Sequence, residues 1–252
     1  MSGARTHSGF RLTARDREMV RWIGRLRMAT AAQVAERFDL GRAVGYARLS
    51  GLVRLGLLEH ARIFHASPGV YLATRAGLSV VGRTLPPAHV DLRTYAHDLE
   101  LSGLVIELER EFGAERIATE REMRAADTPV GSAPIEQPRF AVLVAGARGQ
   151  LQLTPVGHPR LHFPDCAVCV DDCGTGTNVI AVELERTAKG RARLGRILAG
   201  YVASRHIGAV RYYVTTERVR DLVNAEVASL KAKALIEIRD RSSDMRSGTQ
   251  AA

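Results

Sequence analysis

No run of roughly 18 consecutive apolar residues occurs anywhere in the chain, so the sequence offers no membrane-spanning helix. Cysteine is scarce. Three residues in 252 give no disulfide framework, which excludes the small secreted scaffolds that depend on one. Lysine is almost missing, and arginine carries nearly all the positive charge, a bias that points to a GC-rich bacterial genome. Residues 1–10 lack the apolar centre of a secretory signal, so the cytoplasm is the expected compartment. What remains is a globular chain long enough for two modest cores.

The net charge of +9 is unevenly placed. Residues 1–90 hold 14 arginines, no lysine and five acids, Asp16, Glu18, Glu36, Asp39 and Glu59. The other 162 residues are balanced, so the first third carries the whole excess. A basic, well-patterned segment joined to a neutral one is the electrostatic footprint of a polyanion-binding module on a second body.

Residues 1–12 have no hydrophobic period and read as a disordered tail. Thr13 is an N-cap candidate, followed by acids Asp16 and Glu18 and an apolar stripe from Met19 to Leu26. Thr30 caps a second helix, Ala31 to Phe38. Asp39-Leu40-Gly41 makes a turn, and a third helix runs from about Arg42 to Leu55 with Val44, Leu49, Leu52, Val53 and Leu55 inward. Two β-type runs, Leu58 to Phe64 and Val70 to Ala73, flank His65-Ala66-Ser67-Pro68-Gly69, and Thr74 caps a fourth helix. Three helices, a hairpin and a helix are the order of a winged helix-turn-helix, expected over 13–84. In that fold the third helix enters the major groove of double-stranded DNA and the wing meets the backbone. The candidate DNA-binding residues are therefore Arg42, Tyr46 and Arg48 on the third helix, Arg62 and His65 on the wing, and Thr30 and Gln33 at the second helix's start.

Leu85-Pro86-Pro87 breaks the chain, and a second domain is expected over 91–236, with 237–252 as a disordered tail. It opens on a long helix, Leu92 to Phe112. Arg116 to Arg124 reads as a strand, 125–138 as a loop, Phe140 to Ala145 as a short apolar run with Leu151 to Leu153 pairing back. Then comes the stretch with the most chemistry. His162-Phe163-Pro164-Asp165 and Val179 to Glu185 flank Asp171-Asp172-Cys173-Gly174-Thr175-Gly176-Thr177, a hairpin signal. With the turn centred near Gly174, residues whose numbers sum to about 348 pair, which sets Asp165 opposite Glu183. Glu183 and Glu185 share a face by strand alternation. Facing carboxylates need a cation between them, and oxygen donors suit Mg²⁺ or Mn²⁺. Lys189 follows where a basic helix, Ala188 to Ser204, begins; a strand, Val210 to Val214, and a helix from Glu217 to about Lys233 complete the domain. A zinc set of Cys166, Cys169 and Cys173 is disfavoured, because Cys166 and Cys169 point to opposite faces of a strand.

Pro164-Asp165 and Glu183-Leu184-Glu185 resemble the PD-(D/E)XK nuclease-like fold, and Ala96-His97-Asp98-Leu99-Glu100 resembles the opening of the matching helix in the replication-relaxation family of bacterial plasmid and mobile-element proteins. The resemblance covers most of 13–216. It implies an α/β chain: an N-terminal winged helix-turn-helix, then a nuclease-like domain with a small mixed sheet. It implies DNA binding in replication or relaxation, with a homodimer as a candidate assembly. The position that the motif gives to lysine is Glu185 here, so Lys189 is the candidate amine. If the acidic site is active, Asp165 and Glu183 would hold Mg²⁺ or Mn²⁺, with Glu185 and Lys189 completing a catalytic set and Glu100 or Glu107 adding to it. If it is inactive, no cofactor is expected and the chain is a DNA-binding protein.

Overall fold

The computed structural model describes residues 10–127, 138–144, 160–170 and 178–241. It is a mixed α/β chain that divides into two compact units, Met1–Ile106 and Glu107–Ala252.

The first unit runs α1 (Ala14–Arg25), β1 (Ala29–Thr30), α2 (Ala31–Arg37), α3 (Arg42–Arg54), β2 (Leu58–Ala61), β3 (Val70–Ala73), α4 (Arg75–Val80), and then the start of α5 (Tyr95–Phe112). The expected caps are in place. Thr13, Thr30 and Thr74 each accept a hydrogen bond from the backbone N–H three residues on. Asp16 and Gln33 return the bond to Thr13 and Thr30, closing two capping boxes. The strands pair antiparallel in the order β1-β3-β2. Strand β1 is only two residues long and carries no sequence signal. Gly56, at φ +71°, makes the left-handed turn from α3 into β2, where a side chain would be strained. Met19, Val20, Ile23, Leu49, Leu52 and Leu78 supply buried side chains. Two inward assignments fail. Val44 and Leu55 are exposed, at 52% and 37%, and the buried residues of α3 are Gly45, Leu49, Gly51 and Leu52. Gly45 lies against Ala35 of α2, where a Cβ would make ordinary contact at 3.4 Å.

The second unit continues α5 and adds β4 (Ile117–Thr119), α6 (Glu120–Ala126), β5 (Val142–Leu143), β6 (Leu161–His162), β7 (Cys166–Cys169), β8 (Val179–Glu185), α7 (Arg191–Ala203), β9 (Ile207–Val214), α8 (Glu217–Ser229) and β10 (Ile236–Asp240). Its five-stranded sheet has the order β10-β9-β8-β7-β4. Strands β4, β7 and β8 are antiparallel neighbours, whereas β8, β9 and β10 run parallel through the crossover helices α7 and α8. One sheet face, with Ala181, Val210, Tyr212 and Val214, meets Leu194, Ile197, Leu198 and Tyr201 of α7 and Val219, Val223 and Val227 of α8 in a single core. Gly200 lets α7 approach β5, since a Cβ there would lie 2.6 Å from the Leu143 carbonyl oxygen.

Three expectations change here. Arg116 to Arg124 is not one strand: it is three residues of β4 followed by α6, because Thr119 and Glu122 form a capping box that starts a helix. Residues 237–240, read as tail, belong to β10, whose Ile236 enters the core. Cys169 is disulfide-bonded, whereas Cys166 is a buried thiol. The expected turn at 171–177 and the pairing of 151–153 lie outside the described residues.

Asp127, at the end of α6, is buried and accepts hydrogen bonds from the N–H groups of Arg139, Phe140 and Ala141 at 2.8, 2.9 and 2.9 Å. It ties the start of β5 to the end of α6, 12 to 14 positions earlier in the chain. Asp127→Ala would orphan three donors, two of them in buried surroundings, and should cost about 3 kcal/mol or more in denaturant unfolding. An unchanged midpoint would show that water replaces the carboxylate.

Candidate functional site

The acidic centre is built on β7 and β8. Their register pairs Cys166 with Val182 and Cys169 with Val179, so every pair sums to 348 and Asp165 falls beside Glu183. Alternation turns Glu183 and Glu185 toward the face that carries Ala181 and Tyr212. Both glutamates are buried, at 1% and 5% exposure. An ionised carboxylate survives there only with partners.

Each acid has them. Glu183 Oε1 accepts from His162 Nε2 at 2.6 Å and from the hydroxyl of Tyr201 on α7. Lys189 places its Nζ 4.0 Å from Glu183 Oε2 and 2.6 Å from Glu185 Oε2. Asp165 Oδ2 accepts from the backbone N–H of Leu184 at 2.7 Å, which ties the end of β7 to β8. Burial works to raise the Glu183 carboxyl, but the charge and hydrogen bond of His162, with Lys189 and Tyr201, outweigh it and hold the group well below the ordinary carboxylate range. Glu185 goes the other way. Burial raises it, Glu183 and Asp165 add to that, and Lys189 only partly opposes them. Burial pulls the Lys189 ammonium down, but Glu183 and Glu185 more than compensate and keep it charged. Burial first, then the charge of Glu183, pushes the Tyr201 hydroxyl well up, so it stays a donor. The Tyr212 hydroxyl, buried on the same face, has no hydrogen-bond partner among the described residues.

The structure therefore brings Asp165, Glu183, Glu185 and Lys189 together, with Lys189 reaching back from the segment before α7. Two members are additions: His162 and Tyr201. His162 ends β6, three residues before Asp165, and its contact is with Glu183 of β8. Glu107 points elsewhere, into an ion pair with Arg241 at 2.8 and 3.0 Å. The implied Mg²⁺ or Mn²⁺ does not suit the centre as it stands. Glu183 Oε1 already takes two hydrogens, and the Lys189 ammonium already stands against both glutamates. Among the described residues no three His, Cys, Asp or Glu side chains gather as an ion would require.

The candidate DNA-binding residues separate into two groups. Arg42 and Tyr46 are exposed on the first turns of α3, the guanidinium lying 5.9 Å from the ring centroid. Arg62 and His65 are exposed between β2 and β3. Thr30 and Gln33 are buried, and their polar groups are spent inside the unit: the capping box uses both, and Gln33 Nε2 donates to the Leu99 carbonyl at 2.7 Å. Arg48 is also occupied. Its Nε donates to Asp16 Oδ1 at 2.8 Å, a terminal nitrogen bonds Asp16 Oδ2, and the guanidinium stacks 4.2 Å from the Phe10 ring centroid. These three residues face inward because each sits where a helix meets the core, which hydrophobic period alone does not reveal.

Among the described residues no helix is long and apolar enough to cross a membrane. Comparison with protein-family models, curated proteins and solved structures gave no match.

Proposed function

We propose that the chain is a cytoplasmic DNA-binding protein of a plasmid or mobile element, acting in replication, relaxation or their control through a winged helix-turn-helix. The observation that carries the reading is the first unit's path, α1-β1-α2-α3-β2-β3 with strands in the order β1-β3-β2. It leaves the N-terminal turns of α3 open, in a segment holding the entire charge excess. A helix so presented enters a major groove, and the β2–β3 loop with Arg62 and His65 reaches the flanking backbone.

Arg42→Ala should weaken duplex binding about tenfold in an anisotropy titration, the loss of one base or phosphate contact worth ~1–3 kcal/mol. Its circular dichroism should not change, because Arg42 lies exposed at the helix start. Affinity should fall steeply with salt in the parent chain. Equal affinity of parent and variant at every salt concentration would overturn the reading.

A second reading, a metal-dependent DNA endonuclease, has the facing of Asp165 and Glu183 and the approach of Lys189 in its favour. The antiparallel β4-β7-β8 neighbours followed by α7 and parallel β9 also suit a nuclease-like core. Supercoiled plasmid with Mg²⁺ or Mn²⁺ separates the two. Nicking that vanishes in Asp165→Ala and Glu183→Ala supports the enzyme, and a gel shift without nicking supports the binder.

A further inference from the structure

Strand β10 closes one side of the five-stranded sheet, and among the described residues its one strand neighbour is β9. The Val210 N–H donates to the Leu235 carbonyl and the Arg241 N–H to the Val214 carbonyl, so the odd-numbered residues of β10 spend their backbone groups on β9. Ile236, Ile238 and Asp240 turn theirs to the outer edge. The Ile236 N–H is taken by the Ala232 carbonyl at 3.0 Å. The N–H groups of Ile238 and Asp240, and the carbonyls of all three residues, have no backbone partner among the described residues. We propose that this edge pairs antiparallel with the same edge of a second copy of the chain, about a two-fold axis at Ile238.

The side chains select that occupant. With the axis at Ile238, Glu237 faces Arg239 of the second copy, and Arg239 faces its Glu237. Ile238 meets its counterpart as a hydrogen-bonded pair, each N–H donating to the other carbonyl, and the Asp240 N–H donates to the Ile236 carbonyl across the axis. The charged pairs fall at the positions between, where facing side chains come closest. Glu237 and Arg239 share one face, are 53% and 34% exposed, and lie 2.9 Å apart. Arg211 of β9 stands beside Glu237, and Glu111 of α5 beside Arg239. Pairing extends this row with signs still alternating: Arg211, Glu237, then Arg239 of the second copy. Sliding the copies one step along the same face sets Glu237 on Glu237 or Arg239 on Arg239, and a parallel copy in register sets like on like. On the opposite face, half-buried Ile238 packs against the core that holds Val219 and Val223 of α8, and the pairing covers it with its own counterpart. An edge merely shielded against other strands needs charge of one sign. This one carries a self-complementary pair. A strand of five residues makes a small interface, so the dimer is reversible and depends on concentration.

The proposal concerns the second unit, and its test uses no DNA, so it stands or falls apart from the DNA-binding reading. Sedimentation velocity of the full chain over a concentration series should show the mass rise from that of one chain, 27.5 kDa, toward twice that value. Amide exchange of Ile238 and Asp240, read by NMR, should slow as concentration rises, while that of Glu237 and Arg239, bonded to β9, stays constant. Glu237→Arg and Arg239→Glu should each weaken self-association about tenfold or more, because the symmetry sets like charges together twice. An equimolar mixture of the two variants should restore the dimer, since each then offers the charge that the other lacks. The mass of one chain at every concentration would overturn the proposal, as would Ile238 exchange that does not respond to concentration. Single reversals that dimerise as well as the native chain, or folded variants whose mixture stays monomeric, would overturn it too. If a reversal does not fold, the exchange of the native chain decides alone.

Discussion

Arg48→Ala is expected to unfold the first unit more readily rather than to weaken DNA contact directly. The Asp16 carboxylate has no exposed surface, and its partners are Arg48 and the Thr13 cap. Burial acts to raise that carboxyl, but Arg48 and Thr13 outweigh it and hold it below the ordinary range. Taking the guanidinium away leaves a buried charge half-partnered, which costs about 3–5 kcal/mol when the burial is complete. The Arg48 side chain is 27% exposed, so the lower end applies. The same change removes the contact with the Phe10 ring and the bond to the Arg11 carbonyl, loosening the chain before α1. The sign with pH follows from the depressed carboxyl: the stability that Asp16 contributes is present above its unfolded pKa of about 3.9 and is lost as pH falls through the lower folded value. Arg48→Ala should therefore flatten the acid limb of the stability curve, and Asp16→Asn with Arg48→Met should recover part of the loss. A variant as stable as the parent, with weaker DNA binding, would return Arg48 to the nucleic-acid surface.

That residue shows where sequence reading ends. Helix starts were legible because a cap is local: Thr13, Thr30 and Thr74 satisfy donors three residues away, within one window. The β7–β8 register was legible because the spacing around one turn fixes every pair. Arg48 looked like an exposed recognition residue because its partner is 32 positions earlier and nothing local marks the pairing. Thr30 and Gln33 were read as donors for phosphate, although Thr30 followed by Gln33 is itself a capping signature that consumes both. The same signature at Thr119 and Glu122 marked α6, but the apolar residues before it favoured a strand. In the acidic centre Asp165, Glu183, Glu185 and Lys189 lie on adjoining segments and were found. Tyr201 was not, because it arrives from α7 and its contact depends on how that helix crosses the sheet.

The order of destabilisation within that centre is a second expected result of large size. His162→Phe should cost more than Glu183→Gln. Phenylalanine fills much the same space but takes away a hydrogen bond, leaving the Glu183 carboxylate with Tyr201 and an ammonium 4.0 Å away. Breaking one side of a buried pair costs about 3–5 kcal/mol, and hydrogen bonds to charged groups are worth ~1.5–3 kcal/mol each. Glutamine keeps an oxygen for His162 and Tyr201 and removes the buried charge itself. The two variants also differ with pH. A depressed carboxyl contributes stability above its unfolded pKa of about 4.3 and loses it as pH falls through the folded value, so the native unit should weaken in acid below roughly pH 4. Glu185, raised by burial, carries the opposite sign: its ionisation costs stability as pH rises through the unfolded pKa, and Lys189 limits that cost until the ammonium titrates at high pH. Glu183→Gln removes the first contribution and leaves the second, so the urea midpoint of the second unit, measured from pH 2.5 to 7, should lose much of its acid slope in that variant. A Glu183→Gln chain that keeps the native slope would place the acid transition elsewhere. A His162→Phe chain that unfolds no earlier than Glu183→Gln would mean that the imidazole is a neighbour of the carboxylate rather than its support.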